Sequence, residues 1–119
     1  MQKHIGSCHC GEVKYEATGD FSEVISCNCS MCRRKGTLLA FVPAENFKML
    51  SGAEELVDYQ FGKKRIHDTF CGECGVTPFA HGMAPNSSHK MFAINVRCFD
   101  DIDLDSLKVK KVDGKSFPI

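Results

Sequence analysis

The sequence predicts a mainly β domain whose short strands are held together by zinc-binding cysteines. Three observations lead to this prediction. Apolar and polar residues alternate over short segments that glycines separate, as in half-buried strands. The periodicity of an amphipathic helix is weak throughout. Seven of the eight cysteines fall into three close clusters, and in a reducing compartment such clusters bind metal more often than they form disulfides.

Seven segments have the composition of strands. In the first of them, Val13 and Tyr15 alternate with charged residues. The others are rich in β-branched and aromatic residues and are bounded by turn residues. The predicted strands cover residues 13–17, 24–27, 37–42, 57–61, 65–70, 76–81 and 91–96. Residues 43–46 and 62–63 are predicted as turns, and residues 100–107 are the best candidate for a helical turn because acidic residues begin them.

The size and charge of the chain exclude several classes of protein. Its 119 residues fit one domain, and we assign residues 1–119 to a single zinc-binding domain. Fifteen basic residues balance fifteen acidic ones, so nothing in the net charge predicts a nucleic-acid partner. No apolar run approaches the roughly 20 residues of a membrane-spanning helix, and the first residues lack the apolar core of a secretory signal. We therefore expect a cytoplasmic protein, and we leave its oligomeric state open.

Two of the cysteine clusters complement each other as ligands of one zinc ion. Cys71 and Cys74 form a CxxC knuckle, and the adjacent glycines permit the tight turn that directs both thiolates to one point. Cys8 and Cys10 can supply the two remaining ligands of a tetrahedron. Such a structural zinc closes a loop of about 60 residues and contributes folding energy. Two free thiol pairs or a redox CxxC are the alternatives, but a thioredoxin-like motif requires a βαβ setting, which this sequence does not predict.

The third cluster has the composition of a catalytic zinc site. Cys27, Cys29 and Cys32 lie within six residues and can bind one ion from a single loop. Three protein ligands leave the fourth position to water or substrate. Three thiolates make the site a poor Lewis acid that is suited to holding an incoming thiol as thiolate. The basic run at 33–35 can offset the negative charge or pair with carboxylates of a ligand, although a solvated basic run is the simpler interpretation.

Cys98 lies outside the three clusters, and two interpretations of it stay open. It can be an ordinary buried thiol within the 91–99 region. It can also be the fourth sulfur ligand of the second site, and the eight cysteines would then form two closed four-sulfur sites with no position for a substrate. The five histidines are further candidates for that fourth ligand, but none lies at a sequence distance from the other cysteines that is typical of a zinc ligand.

The order of three motifs, CxCG, CxCxxCR and FCxxCG, resembles that of the glutathione-dependent formaldehyde-activating enzyme family, which also includes centromere protein V. The motifs occupy residues 6–11, 27–33 and 70–75. Residues 94–97 and the following Asp100 and Asp101 resemble the C-terminal pattern of the family more weakly. The chain departs from the family's pattern at Asn28, where histidine is common, and at Val76, where a small hydroxyl residue is common.

This resemblance implies a β-tent fold of the Mss4-like class with two zinc ions. It implies a structural zinc on Cys8, Cys10, Cys71 and Cys74, and a second zinc on Cys27, Cys29 and Cys32 at the place where glutathione would bind. The implied activity is that of a carbon–sulfur lyase, the reversible joining of formaldehyde and glutathione into S-(hydroxymethyl)glutathione. The second zinc would bind or release the sulfur nucleophile, and Arg33 would anchor the carboxylates of the tripeptide.

A zinc-stabilised module without catalytic activity, which binds a protein or a nucleic acid, is the alternative function. Its aromatic residues would form a stacking surface. Tyr15 and Tyr59, like most of the other aromatic residues, fit better in a core, because they alternate with polar residues at strand spacing.

Overall fold

Ten short strands dominate the protein in the computed structural model, which describes residues 1–84 and 88–116. They are β1 (Gln2–Ser7), β2 (Lys14–Gly19), β3 (Glu23–Cys27), β4 (Leu39–Pro43), β5 (Phe47–Ser51), β6 (Leu56–Tyr59), β7 (Ile66–Cys71), β8 (Phe79–Met83), β9 (Lys90–Asn95) and β10 (Lys108–Val112). One α-helical turn, α1 (Cys32–Lys35), and short 3-10 turns connect them. The predicted mainly β fold is confirmed. Within the described residues no helix has the length and apolar character that crossing a membrane requires.

The strands form two sheets that pack face to face around the core. β1, β2 and β5 make a three-stranded antiparallel sheet. The other seven strands form a sheet in the order β10-β3-β4-β9-β8-β7-β6. Neighbours in this large sheet are antiparallel except for β10, which runs parallel to β3. As a result, the carboxyl ends of β3 and β10 lie side by side.

Tyr15 of β2 lies at the centre of the core between the two sheets. Its ring is fully buried, stacks on Phe47 at 5.5 Å and meets Phe79 edge-on at 5.3 Å. Its hydroxyl donates a hydrogen bond of 3.1 Å to the Pro78 carbonyl, so the one polar atom of the ring has a partner. Gly6 of β1 leaves space for this ring, because a Cβ at that position would lie 2.3 Å from the Tyr15 Cζ atom. The small sheet is thereby fitted to the aromatic core.

Each of the seven predicted strands overlaps an observed one, whereas β1, β5 and β10 lie outside the predicted segments. The sequence KVKKV of β10 shows why, since an exposed edge strand needs no regular alternation of apolar residues. The predicted helical turn within 100–107 is a 3-10 turn at Leu104–Ser106, where the Asp103 side chain accepts a hydrogen bond from the Asp105 amide at 3.1 Å. α1 was not predicted, because four residues are too short to show helical periodicity.

We expect Gly6→Ala to lower the free energy of unfolding by about 1–3 kcal/mol, because the added methyl group overpacks the core against the Tyr15 ring. Urea denaturation monitored by circular dichroism measures the change. Lys14→Ala, an exposed substitution on β2, is the control and should have an effect within about 0.5 kcal/mol. If the two variants are equally stable, the proposed fit between Gly6 and Tyr15 is wrong.

Candidate metal centres

The first cysteine cluster is built by two turns of similar construction, one from each sheet. Cys8 directly follows β1, and Cys71 is the last residue of β7. A glycine with positive φ closes each turn: φ is 83° at Gly11 and 81° at Gly75. The Gly11 amide donates to the Cys8 carbonyl at 3.3 Å, and the Gly75 amide donates to the Cys71 carbonyl at 2.8 Å. Each turn therefore folds the second cysteine of its motif back towards the first.

These turns bring together the four cysteines that were predicted to share a metal. The sulfurs of Cys8, Cys10, Cys71 and Cys74 all lie within 4.8 Å of one another. The Cys10 sulfur is 3.6 Å from that of Cys8 and 3.7 Å from that of Cys71. A tetrahedral zinc ion with Zn–S bonds of about 2.3 Å requires sulfur–sulfur distances of about 3.8 Å. The donor atoms and their spacing therefore fit zinc.

Two cysteines of this cluster have pKa values shifted in opposite directions. Hydrogen bonds from the backbone of Val76 and Cys10 lower the pKa of Cys74 to about 6. A hydrogen bond from the backbone of Glu12 lowers the pKa of Cys10, but desolvation and the neighbouring thiols outweigh it and raise this pKa to about 12. Four thiolates at such distances repel one another unless a cation neutralises them. The cluster thus has the electrostatic character of a metal site.

The cysteine trio, which consists of Cys27, Cys29 and Cys32, forms the second cluster between β3 and α1. Its three sulfurs also lie within 4.8 Å of one another. The Cys29 amide donates to the Cys27 sulfur at 3.5 Å, and the Cys32 amide donates to the Cys29 sulfur at 3.3 Å. Burial opposes ionisation of Cys29, but the amide hydrogen bonds outweigh it and lower the pKa of this residue, whereas burial and the adjacent Cys29 raise the pKa of Cys32.

The trio fits a soft divalent cation such as zinc, with three ligands from the chain. Among residues 1–84 and 88–116, no further cysteine, histidine or carboxylate joins the three sulfurs. Three side-chain ligands are typical of catalytic zinc sites, whereas structural sites have four. The two clusters therefore differ in the number of cysteine sulfurs, which is the feature that distinguishes catalytic from structural zinc sites.

Cys98 belongs to neither cluster. Its sulfur lies 3.8 Å from the Asn95 amide nitrogen and 3.8 Å from the Thr77 carbonyl oxygen. Burial raises the pKa of Cys98 to about 11, and the charges of Cys8, Cys74 and Asp100 act in the same direction. The sulfur of Cys98 is not among those that converge in either cluster. The structure therefore does not assemble the closed four-sulfur site that would combine Cys98 with the trio, and Cys98 is a buried thiol.

The basic residues of α1 differ in their contacts. The Arg34 guanidinium donates to the Ser30 carbonyl at 2.9 Å, and the Lys35 ammonium donates to the Thr77 hydroxyl at 2.7 Å. Arg33 is exposed, and within the described part of the chain its guanidinium forms no hydrogen bond or ion pair. Of the three cations that follow the trio, Arg33 is the one whose charge is not already engaged by the described residues.

The C-terminal segment, which sequence analysis left unassigned, also contacts the trio. β10 pairs with β3 so that Val112 lies opposite Cys27. Gly114 is buried, and a Cβ at this position would lie 2.2 Å from the Cys27 sulfur. No spacing motif indicates this contact, because the two residues are far apart in the chain and only the parallel pairing of the two strands brings them together.

A mainly β scaffold with one four-cysteine and one three-cysteine cluster defines a small cysteine-rich protein that can hold two metal ions. Residues 3–112 match the family described as "Glutathione-dependent formaldehyde-activating enzyme". The chain belongs to this family. It is also similar to the crystal structure of a Rhodobacter sphaeroides protein, a Northeast Structural Genomics target, with a TM-score of 0.77, 27% identity and coverage of 92% of this chain and 100% of that one. The resemblance seen in the sequence and the predicted Mss4-like fold class are confirmed.

Cys71→Ser should abolish cooperative folding, because it removes a ligand from the cluster that joins the two sheets. Structural zinc contributes roughly 10–16 kcal/mol in small zinc domains, which is as large as the whole stability of about 5–15 kcal/mol of a typical domain. Thermal unfolding by circular dichroism and zinc content by mass spectrometry test this. Cys98→Ala is the control and should keep both zinc ions. A cooperative transition at the wild-type temperature in Cys71→Ser would show that the four sulfurs do not support the fold.

Proposed function

We propose that the protein is a zinc-dependent carbon–sulfur lyase that forms or breaks a thiol adduct, with glutathione as the thiol and S-(hydroxymethyl)glutathione as the adduct. Membership of the glutathione-dependent formaldehyde-activating enzyme family supports this substrate class. The observation that carries the proposal is the cysteine trio, where three sulfurs converge and no fourth ligand from the described residues joins them. In this proposal Cys8, Cys10, Cys71 and Cys74 hold a structural zinc, and Cys27, Cys29 and Cys32 hold the zinc of the reaction site.

The proposed reaction adds a thiol to the carbonyl group of formaldehyde. A sulfur–carbon bond forms, the carbon–oxygen π bond opens, and the proton of the thiol is transferred to the former carbonyl oxygen, so that nothing is oxidised or reduced. When bound by the trio, zinc supplies a position for the thiol sulfur and favours its thiolate form. The chain itself orients two of the three ligands, because the Cys29 amide donates to the Cys27 sulfur and the Cys32 amide donates to the Cys29 sulfur.

The charges around the trio suit an anionic thiol. Three thiolates and a divalent ion leave a net negative charge, which by itself would repel the carboxylates of glutathione. α1 begins at Cys32 and carries three consecutive basic residues, which offset this charge. The planar guanidinium of Arg33 can bind a carboxylate through two parallel hydrogen bonds. Its lack of a partner among the described residues supports a role in binding the tripeptide.

The zinc-loaded protein should accelerate exchange between free formaldehyde and the hydroxymethyl group of its glutathione adduct. Two-dimensional exchange NMR measures the rate against the spontaneous reaction. Cys29→Ser should remain folded, retain one zinc ion of two and lose the acceleration, because the trio closes no long loop of the fold. Cys98→Ala should accelerate the exchange as much as the wild type does. A two-zinc protein that neither accelerates exchange nor binds a thiol by calorimetry would exclude the lyase and leave the non-catalytic zinc module.

Arg33→Ala should weaken glutathione binding by about two- to fivefold, the effect of one solvent-exposed ion pair. Binding of 2-mercaptoethanol, which has no carboxylate, should not change. Arg34→Ala is the matched control, because it removes the same charge from a guanidinium that already donates to Ser30. Calorimetry at low and at high salt measures the binding affinity of both thiols. If the two substitutions weaken glutathione binding equally, the effect comes from the loss of one positive charge near the site, and Arg33 has no specific role.

A further inference from the structure

The turn that follows β10 covers one side of the cysteine trio. Residues 113–116 run directly from the end of β10, and a 3-10 turn at Gly114–Ser116 folds them against the loop that carries Cys27 and Cys29. Gly114 is the point of contact, since a Cβ there would lie 2.2 Å from the Cys27 sulfur and 3.4 Å from the Cys29 Cβ. Only the bare backbone of a glycine fits at this distance. The family match ends at residue 112, so the turn lies outside it.

Asn28, which lies between the first two cysteines of the trio, fixes this turn in place. Its side-chain Nδ2 donates to the Asp113 carboxylate at 2.9 Å, and its Oδ1 accepts a hydrogen bond from the Lys115 amide at 3.0 Å. Its own amide donates to the Val112 carbonyl at 3.2 Å. Asp113 in turn accepts a hydrogen bond of 2.6 Å from the Ser116 hydroxyl. The side chain that separates two cysteines of the trio thus uses both of its polar atoms to hold the C-terminal turn.

We propose that the C-terminal turn of residues 113–116, latched by Asn28, is a wall of the trio site that excludes thiols branched at the carbon next to the sulfur. The proposal rests on the thiol-binding role proposed for the trio. A sulfur that approaches the trio brings its attached carbon to within a few ångströms of the three cysteines, and on the Cys27 side this space is occupied by the Gly114 backbone. A primary thiol such as that of cysteine or glutathione can direct its single substituent away from Gly114. A tertiary thiol carries three substituents, so one of them meets the wall.

This arrangement makes Asn28 and Gly114 specificity residues. Neither is assigned as a zinc ligand beside the three thiolates, and neither takes part in the proton transfer or in the formation of the sulfur–carbon bond. Their effect is steric: Asn28 sets the position of the wall, and Gly114 lets the wall come close without displacing Cys27. The departure from histidine at position 28 then has a physical consequence, because a carboxamide can donate to Asp113 and accept from Lys115 with two adjacent atoms of one group.

The test compares N-acetylcysteine with N-acetylpenicillamine, which carry the same charge but differ by two methyl groups beside the sulfur. Calorimetry with the two-zinc protein, without formaldehyde, should show about tenfold weaker binding of the branched thiol to the wild type. Asn28→Ala should detach the turn and reduce this ratio to about twofold. Asn46→Ala is the matched control, because it removes an asparagine hydrogen bond to the Thr18 carbonyl and should keep the wild-type ratio.

Hydrogen exchange of the Lys115 amide, which donates to Asn28, reports whether the turn has detached. A Lys115 amide that stays as protected in Asn28→Ala as in the wild type overturns the role of Asn28 as the latch. A Lys115 amide that exchanges freely while the thiol ratio stays unchanged overturns the wall.

A second variant tests the wall without any thiol. Gly114→Ala should displace the Cys27 sulfur, so that the protein keeps the zinc of the four-cysteine cluster and loses the second zinc ion by mass spectrometry. Lys111→Ala, an exposed substitution on β10, should keep both ions. If Gly114→Ala keeps two zinc ions and releases them to a chelator at the wild-type rate, the proposed close contact between Gly114 and Cys27 is wrong. If the wild type binds both thiols with the expected ratio but does not accelerate hydroxymethyl exchange, the lyase proposal fails and the wall stands.

Discussion

Four sulfur atoms join the two sheets at one end of the core. Cys8 and Cys10 lie in the turn after β1 of the small sheet, whereas Cys71 ends β7 of the large sheet and Cys74 lies in the turn that follows it. Sulfurs this close repel one another as thiolates, so we expect the junction to depend on a cation that neutralises them. The aromatic core depends on the junction in turn, because β1 carries Gly6, the position at which the small sheet makes room for Tyr15.

We propose different purposes for the two cysteine clusters, and the separation of their cysteines along the chain supports this division. The four-cysteine cluster brings together residues 61 positions apart, so that a bound ion removes much of the freedom of the unfolded chain. The trio lies within a single loop, so an ion bound there removes little of the freedom of the unfolded chain. Since we expect the fold to gain little from the trio, its sulfurs suit the role in chemistry that we propose, and their number agrees with this division.

The cysteine motifs and the strands of the core could be predicted from the sequence because both are local patterns. Alternation over a few residues identifies a strand such as β2, and a CxxC knuckle is identified by its own spacing. The contacts of β10, of Gly114 and of Cys98 could not be predicted, because they depend on pairing between distant segments. Cys98 shows the limit most clearly: its type suggested a fourth ligand for the trio, and only the fold places it near Asn95 and Thr77 instead.

In our proposal, the pairing of β10 with β3 also decides which segment limits the range of thiols that the trio accepts. Parallel strands that pair end at the same edge of a sheet, so whatever follows β10 must lie beside the loop that follows β3. The lysines of β10 suit an exposed edge strand, since charged edges resist pairing with another chain. The residues that we propose for the chemistry therefore lie within the family match of residues 3–112, whereas the proposed wall of their site is supplied by the segment just beyond it. In our proposal, detaching the C-terminal turn through Asn28 alters which thiols enter, whereas a side chain at Gly114 would also displace the Cys27 sulfur.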